Sequence, residues 1–297
     1  MRASFNSPAE LNLQLQKAGF DLLVTQTESG ALAGSLQLQT VNNGMVLQLS
    51  ADRPLHFYGD RKASLLCVPT NSISFHGRPA EACHVGGFNQ NTMLTDCFIP
   101  AGGAITAMLM NPKQMEGSLQ RHGNEHGLDA LTHAWSLEMT EEQRSRLLQL
   151  MHQGLVDPSV DAEDALIEFE AIASKGKAME FDLEDRTALS RAVEVICNTL
   201  TDPMFTGQDL ARLALTNERW LRKQFQRYGT SPMAFRRFMK LSMVQAFVRT
   251  EEAAAMTQKQ LAEKFGYIKA KWFAKQYRDH FGENLFDTHR AQIDLPL

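Results

Sequence analysis

The stretch that decides the fold of this chain is DLARLALTNERWLRKQFQRYGTSP, residues 209–232. Thr206-Gly-Gln-Asp209 supplies capping groups for a short helix, and Leu215-Thr216 leaves a turn of two residues. Asn217 is a favourable N-cap for a longer second helix, which ends at Gly229. A short helix, a tight turn and a longer helix with exposed cations are the layout of a helix-turn-helix unit.

The same layout returns in LAEKFGYIKAKWFAKQYRDHFG, residues 261–282. Thr257 begins a second capping box, Gly266 starts the turn, and the longer helix extends to about His280. A single helix over 231–248, with Pro in its first turn, connects the two copies. A rigid connection could hold two recognition helices about 34 Å apart, so that both enter successive major grooves of one duplex.

Charge is unevenly distributed along the 297 residues, although the net charge is only -4. Residues 211–280 hold 15 Lys and Arg against 5 Asp and Glu, a local charge of +10, whereas the other 227 residues carry -14. A basic segment attached to an acidic one indicates two domains, of which the basic one faces a polyanion. A solvated helical surface is the alternative that charge alone leaves open.

The N-terminal half has the pattern of short antiparallel strands. Apolar residues alternate in ALAGSLQLQ (31–39) and MVLQLS (45–50), and Asn43-Gly44 between them predicts a hairpin whose two turn residues tolerate positive φ. Further short runs at intervals of roughly 10 residues predict a sandwich or small barrel. These runs are 55–58, 64–68, 72–76, 93–99 and 105–110.

Helical periodicity replaces the strand pattern after Met110. A helix is predicted over 112–120, and Thr140 begins a capping box for an amphipathic helix that carries Leu147 and Met151. With a further helix over 162–174, this segment would cover the barrel or pair between subunits, and we favour pairing. The polar segment KGKAMEFDLED, 175–185, predicts a linker. The expected domains are therefore 1–174 and 186–297.

Enzyme and metal motifs are missing from the sequence. It has no Gly-x-Ser-x-Gly, no phosphate-binding Gly-rich loop and no HExxH. Cys83-His84 and His122-x3-His126 come nearest to metal ligands, but Gly123 and Gly127 argue against a helix on which the two His could share a metal. We expect no catalytic residue, cofactor or metal, and reduced thiols at the four Cys.

Membrane and secretion motifs are missing as well. No apolar run reaches the ~18 residues of a membrane span, and the N-terminus lacks the apolar core of a secretory signal. We therefore expect a cytoplasmic protein without a membrane partner.

Three segments carry a family resemblance: 209–232, FRRFMKLSMVQAF (235–247) and 261–282. With them, residues 185–290 resemble the DNA-binding domain of the AraC/XylS transcription regulators, over about a third of the chain. The resemblance implies an α+β protein whose all-α C-terminal domain has seven helices and two helix-turn-helix units. It also implies binding to double-stranded promoter DNA. The N-terminal half is similar in outline to the antiparallel, cupin-like sensor or dimerisation domain of this family.

The resemblance also implies which side chains contact DNA. In the first unit, Arg219, Arg222 and Lys223 match exposed recognition-helix positions, and an Arg bidentate to guanine contributes about 1–3 kcal/mol of discrimination. Asn217 and Thr230 are candidate phosphate contacts. The candidate DNA-binding residues are Asn217, Arg219, Arg222, Lys223, Gln226, Thr230, Lys269, Lys271 and Lys275.

This chain departs from the family pattern at several positions. Leu215 stands where the first turn usually has Gly, and we expect an ordinary turn conformation there. Ala270 and Lys271 stand where base contacts are usual, so the second unit is expected to bind mainly phosphates. The other departures are Asn217, Tyr267, Leu285 and His289.

Expected partners are promoter DNA, a second copy of the chain, RNA polymerase and a small effector. Two hypotheses remain for the N-terminal half: a ligand sensor, or a dimerisation or protein-interaction module without a ligand. A cavity of a few hundred Å³ with convergent polar groups would favour the sensor, and a filled interior would favour the interaction module. An enzyme fused to a DNA-binding domain is a third alternative. Whether the protein activates or represses is left open.

Overall fold

The computed structural model describes residues 1–60, 62–75, 78–88, 94–180 and 188–287. The strands are β1 (Arg2–Phe5), β2 (Asp21–Gln26), β3 (Gly34–Val41), β4 (Gly44–Ala51), β5 (Leu55–Asp60), β6 (Ser64–Pro69), β7 (Ile73–Phe75), β8 (Arg78–Ala80), β9 (His84–Gly86), β10 (Leu94–Ile99), β11 (Ala104–Met110), β12 (Ala134–Glu138) and β13 (Ala178–Glu180). The helices that accompany them are α1 (Pro8–Lys17), α2 (Pro112–Arg121), α3 (Glu125–His133), α4 (Glu141–Gly154) and α5 (Asp164–Ala173).

The C-terminal half is helical throughout its described range, 188–287. Its seven α-helices are α6 (Ala188–Asn198), α7 (Gly207–Leu213), α8 (Glu218–Phe225), α9 (Pro232–Phe247), α10 (Glu251–Ala254), α11 (Gln258–Lys264) and α12 (Ala270–Phe281). The predicted α+β class and the seven C-terminal helices are therefore confirmed. No helix in the described ranges combines the length and apolar character that a membrane span requires.

Two antiparallel sheets form the N-terminal sandwich. The larger has eight strands in the order β1-β3-β4-β11-β6-β9-β12-β13, and the smaller has five in the order β2-β5-β10-β7-β8. In β11, Ala107 and Leu109 face the space between the sheets, whereas Met108 and Met110 face the helices on the other side. Because successive side chains of a strand point to opposite faces, this mostly apolar strand is buried on both faces from Thr106 onward.

The predicted hairpin is present, but its turn lies one residue earlier than expected. Val41 pairs with Gly44, so that Asn42 and Asn43 form the connection, and Asn43 adopts a φ of 61°. Gly44 is instead the first residue of β4, where a Cβ would lie 2.5 Å from the carbonyl oxygen of Leu109. Glycine is required there for the close approach to β11 and not for a positive φ.

Helices α4 and α5 cover the outer face of the larger sheet. Leu147 and Met151 of α4 and Phe169 of α5 are fully buried in one cluster with Met108. The capping box that begins at Thr140 is present. The sheet-facing sides of both helices are thus covered within the chain, and pairing between subunits through their other faces stays a prediction.

Two further elements differ from the predictions. Gly127 lies inside α3, where its N–H donates to Glu170 Oε2 at 2.5 Å, so the expected absence of a helix there was wrong. His122 and His126 nevertheless do not share a helix, since His122 is the C-cap of α2 and His126 lies in α3. The first part of the expected linker forms β13, which pairs with β12. Residues 181–185 of that linker lie outside the described residues.

The smaller sheet packs against the C-terminal helices. Phe98 of β10 belongs to the same hydrophobic cluster as Leu221 and Phe235. Beside it, His56 of β5 and Asp96 of β10 form a fully buried pair, with 2.7 Å between Nε2 and Oδ1. The His56 ring meets the edge of the Phe235 ring at a centroid distance of 4.8 Å. A polar pair of the sandwich is therefore shielded from water by helix α9.

We expect Asp96→Ala to lower the free energy of unfolding by about 3 kcal/mol, because it leaves the buried His56 ring without its partner. Asp129→Ala is the matched control, since Asp129 and His133 form an exposed pair at 3.7 Å on α3. Exposed pairs contribute little to stability, so no measurable change is expected there. Chemical denaturation of both variants tests the difference, and equal losses would contradict it.

Candidate nucleic-acid interface

The first helix-turn-helix unit consists of α7 and α8, and side-chain caps hold the start of each helix. Thr206 and Asp209 form a reciprocal capping box, and Asn217 Oδ1 accepts a hydrogen bond from the Trp220 N–H at 2.9 Å. Leu221 and Phe225, four residues apart, are buried as predicted. Helix α8 therefore presents its opposite face to solvent.

That exposed face carries an open depression of about 540 Å³. Trp220 forms part of its wall, and the other lining residues are five of the candidates: Asn217, Arg219, Arg222, Lys223 and Gln226. Thr230 is not among the lining residues and is partly buried beyond Gly229. Since the Asn217 oxygen caps α8, its amide N–H groups are the part left for a phosphate.

The second unit consists of α11 and α12. Thr257 and Gln260 form its capping box, as predicted. Phe273 and Tyr277 are buried, whereas Lys271 and Lys275 are exposed on the same helix. Lys269 precedes α12 as its N-cap and lines a cleft of about 550 Å³ between the two units, together with Phe205, Arg237 and Trp272. The candidates of this unit thus lie on the cleft wall and on the exposed face of α12.

The cationic candidates differ in their ion pairing from four other cations of the C-terminal half. Arg212, Arg249, Lys259 and Lys264 each lie within 3.8 Å of a carboxylate. By contrast, no carboxylate among the described residues forms an ion pair with any of the six cationic candidates. These are Arg219, Arg222, Lys223, Lys269, Lys271 and Lys275. The face formed by these side chains therefore carries uncompensated positive charge that favours an anionic ligand.

The turns of the two units have the same hydrogen bonds. In the first, the N–H groups of Leu215 and Thr216 donate to the carbonyls of Arg212 and Ala211 at 3.2 and 2.9 Å. In the second, Gly266 and Tyr267 donate in the same pattern to Glu263 and Ala262, at 3.0 and 2.7 Å. This arrangement ends a helix with one left-handed residue.

Leu215 accordingly has a φ of 54°, close to the 65° of Gly266. The expectation of an ordinary turn conformation at Leu215 was therefore wrong. The left-handed conformation is unfavourable for a residue with a Cβ. The Leu215 side chain is 77% exposed, so no neighbour blocks it.

Two cations of α9 connect the units. Arg236 donates to the carbonyl oxygens of Thr199, Leu200 and Asp202 at the end of α6, and its guanidinium lies 5.0 Å above the Phe205 ring. Burial lowers its pKa. These contacts fix the segment that leads from α6 into the first unit against α9.

Lys240 makes the corresponding connection to the second unit. Its Nζ lies 3.5 Å from the Gly266 carbonyl oxygen and 4.5 Å from the centre of the Tyr267 ring. Burial, and then the neighbouring Arg236 charge, lower the pKa of Lys240 to about 8. Together with Arg236, it joins both units to one helix.

The second unit exposes two apolar side chains that are not among the candidate DNA-binding residues. Trp272 is 55% exposed and Ile268 is 79% exposed, and both line the cleft beside Lys269. Helical spacing could have identified Trp272, because Phe273 and Tyr277 share one face and Trp272 lies about 100° away from Phe273. No group of three His, Cys, Asp or Glu side chains in the described part of the chain is placed to hold a metal.

Comparison with models of protein families finds no match for this chain. Among curated proteins, it is 34% identical over 82 residues to the XylDLEGF operon transcriptional activator 2 of Pseudomonas putida. The matched segment is 27% of this chain and 52% of that protein, so the chain spans about half the length of this curated relative.

Solved structures of regulators are also similar. A probable AraC family transcriptional regulator from Rhodopseudomonas palustris CGA009 is 30% identical, with 35% of this chain and 95% of that chain covered and a TM-score of 0.32. The AraC-like transcriptional activator CuxR is 11% identical, with 82% and 94% covered and a TM-score of 0.43. ToxT from Vibrio cholerae O395 is 9% identical, with 92% and 99% covered and a TM-score of 0.34. Since all three TM-scores are below 0.5, the informative similarity is that of the sequence.

The two turns lead to opposite predictions for stability. Leu215→Gly should raise the free energy of unfolding by about 1 kcal/mol, because glycine adopts the left-handed conformation without strain. Gly266→Ala should lower it by about 2 kcal/mol, because a Cβ there overlaps with the Thr201 carbonyl oxygen. Chemical denaturation of the full chain measures both. A loss of stability in Leu215→Gly would contradict the assigned turn geometry.

Proposed function

Because the chain belongs to the AraC/XylS family of transcriptional regulators, we propose that it binds promoter DNA through its two helix-turn-helix units. Helices α8 and α12 enter successive major grooves on one side of the duplex, about 34 Å apart. The observation that carries the proposal is the set of six unpaired cations on these helices, next to others that pair with carboxylates. Phosphates supply the missing negative charge, and binding is therefore steeply salt-dependent.

The two units divide the recognition of DNA between them. In the first, Arg219 and Arg222 contact base edges, and Lys223 contacts a base or a phosphate at the edge of the same depression. In the second, Lys269, Lys271 and Lys275 bind mainly phosphates and position the protein on the duplex. The exposed Trp272 adds an apolar surface of the kind that contacts thymine methyl groups.

The N-terminal sandwich acts in this proposal as a dimerisation or protein-interaction module. Its interior supports this role over a ligand held between the sheets, because buried apolar side chains of both sheets pack against one another there. Leu36 and Leu49 of the larger sheet and Val24 and Leu55 of the smaller sheet are at most 2% exposed. An effector that binds at another surface of the sandwich is the alternative.

Selection from a random duplex library tests the proposed function with the full-length protein. We expect enrichment of sites with two conserved elements about one helical turn, ~10 base pairs, apart. The selected site should bind better than random duplex at about 150 mM salt, where nonspecific binding is weak. Equal binding of selected and random duplexes at that salt concentration would contradict the proposal.

Two substitutions test the division between the units. Arg222→Ala should relax specificity in one element of the site, by about 1–3 kcal/mol, because a bidentate base contact is lost. Lys271→Ala should weaken binding to all sequences alike and reduce the salt slope by about 1, because a phosphate contact is lost. Lys113→Ala, an exposed cation on α2, controls for the change in net charge. Equal relaxation of specificity by Arg222→Ala and Lys271→Ala would contradict the division.

A further inference from the structure

The β2–β3 loop (27–33) of the sandwich contacts the C-terminal ends of both recognition helices. Thr27 Oγ1 lies 3.4 Å from the carbonyl oxygen of Tyr228, which closes the 3-10 turn that continues α8. The Gly30 N–H donates to the carbonyl of His280 in the last turn of α12 at 2.9 Å. Ser29 Oγ lies 3.1 Å from Nδ1 of the same histidine. One short loop thus joins two helices that belong to different units.

The loop is itself held in one conformation. The buried Gln26 side chain donates from Nε2 to the carbonyls of Glu28 and Gly30 at 2.6 and 2.7 Å. The Ala33 N–H donates to Asp52 Oδ1 at 2.7 Å, and so ties the other end of the loop to the sandwich. The loop is therefore held against the sandwich at both ends.

The contacted ends of the helices are anchored in the protein interior. Tyr228 is 1% exposed and His280 is 2% exposed. The His280 ring stacks on Phe238 of α9 at a centroid distance of 4.5 Å and an angle of 12°. Burial, and then the nearby Arg237 charge, lower the pKa of His280 to about 4, so the ring is neutral at pH 7. A neutral ring forms an ordinary hydrogen bond with the Ser29 hydroxyl.

We propose that the β2–β3 loop sets the relative placement of the two recognition helices, and thereby the spacing between DNA elements that the protein prefers. This inference rests on the proposed DNA-binding function. Helix α9 connects the units, and the Gly266 turn packs on Thr201 beside it. The loop is a further connection at a different point, and it restricts pivoting of the units around α9. Thr27 and Ser29 are positioning residues, because they act on α8 and α12 without touching DNA.

In this proposal the loop also couples the smaller sheet to both recognition helices. Strand β2 pairs along its whole length with β5 in the smaller sheet. Any event that displaces this sheet, such as binding of a partner to the sandwich, moves both recognition helices through the loop. The coupling changes which DNA spacing is favoured, without contact between the partner and DNA.

The test compares the full-length protein with a Thr27→Val, Ser29→Ala double variant on a set of duplexes. Each duplex carries the two elements selected by the wild type, with their spacing shortened or lengthened by up to ~2 base pairs. The wild type should prefer its best spacing over the extremes by about tenfold. In the double variant this preference should fall to about twofold, while affinity at the best spacing changes less.

Three controls separate positioning from a general effect on folding. Ser35→Ala removes the 2.9 Å contact between the Ser35 and Ser50 hydroxyls within the same sandwich, and should leave the spacing profile unchanged. Thr27→Ser keeps the hydroxyl and should keep the profile. Ser29→Ala alone alters an exposed side chain, so it folds even if the double variant does not, and it should show part of the loss.

The outcomes distinguish the loop from the DNA-binding function. If the variants lose affinity equally at every spacing, or keep the wild-type profile, the loop has no positioning role and the inference is overturned. In both cases specific binding by the wild type leaves the proposed function intact. If the wild type binds selected and random duplexes equally, the proposed function itself fails, and the inference fails with it.

Discussion

Burial of helix α9 with its two cations is the constraint on which the C-terminal half depends. Phe235 and Met239 of this helix belong to the core of the first unit, and Leu241 and Val244 belong to the core of the second. A buried cation is tolerated only where hydrogen-bond acceptors or aromatic rings replace the water molecules that would otherwise solvate it. Arg236 and Lys240 find them in carbonyl oxygens and aromatic faces that the two units supply. The units therefore cannot move apart without leaving a charge unsatisfied.

The sequence predicted those parts of the structure that local spacing determines. Caps at Thr206, Asn217 and Thr257 are decided within one helical turn, and all three are present. The exposed cations of α8 follow from the buried Leu221 and Phe225 in the same way. What the sequence predicted less well depends on partners distant in the chain. The polar segment that contains β13 forms a strand because it pairs with β12 at the edge of the larger sheet. The local sequence pattern does not predict this pairing.

The contacts between the two halves were also beyond prediction. His56 and Asp96 are polar residues on different strands, and each is unremarkable among its neighbours in the sequence. They are in contact because β5 and β10 pair. They are shielded from water because Phe235 of α9 covers them. The β2–β3 loop is similar, since nothing in its composition reveals that Tyr228 and His280 lie beside it. These contacts depend on the final arrangement of the two halves.

The turns of the two repeated units have different surroundings, so the units are not interchangeable. The Leu215 turn projects into solvent, whereas the Gly266 turn rests on the backbone of Thr201, between α6 and α7. A copy of the first turn placed at the second position would press a leucine side chain into that backbone. The two halves of the repeat are therefore equivalent in their hydrogen bonds and not in their surroundings. Exchange of whole units between the two positions would remove the close packing of the second turn on Thr201.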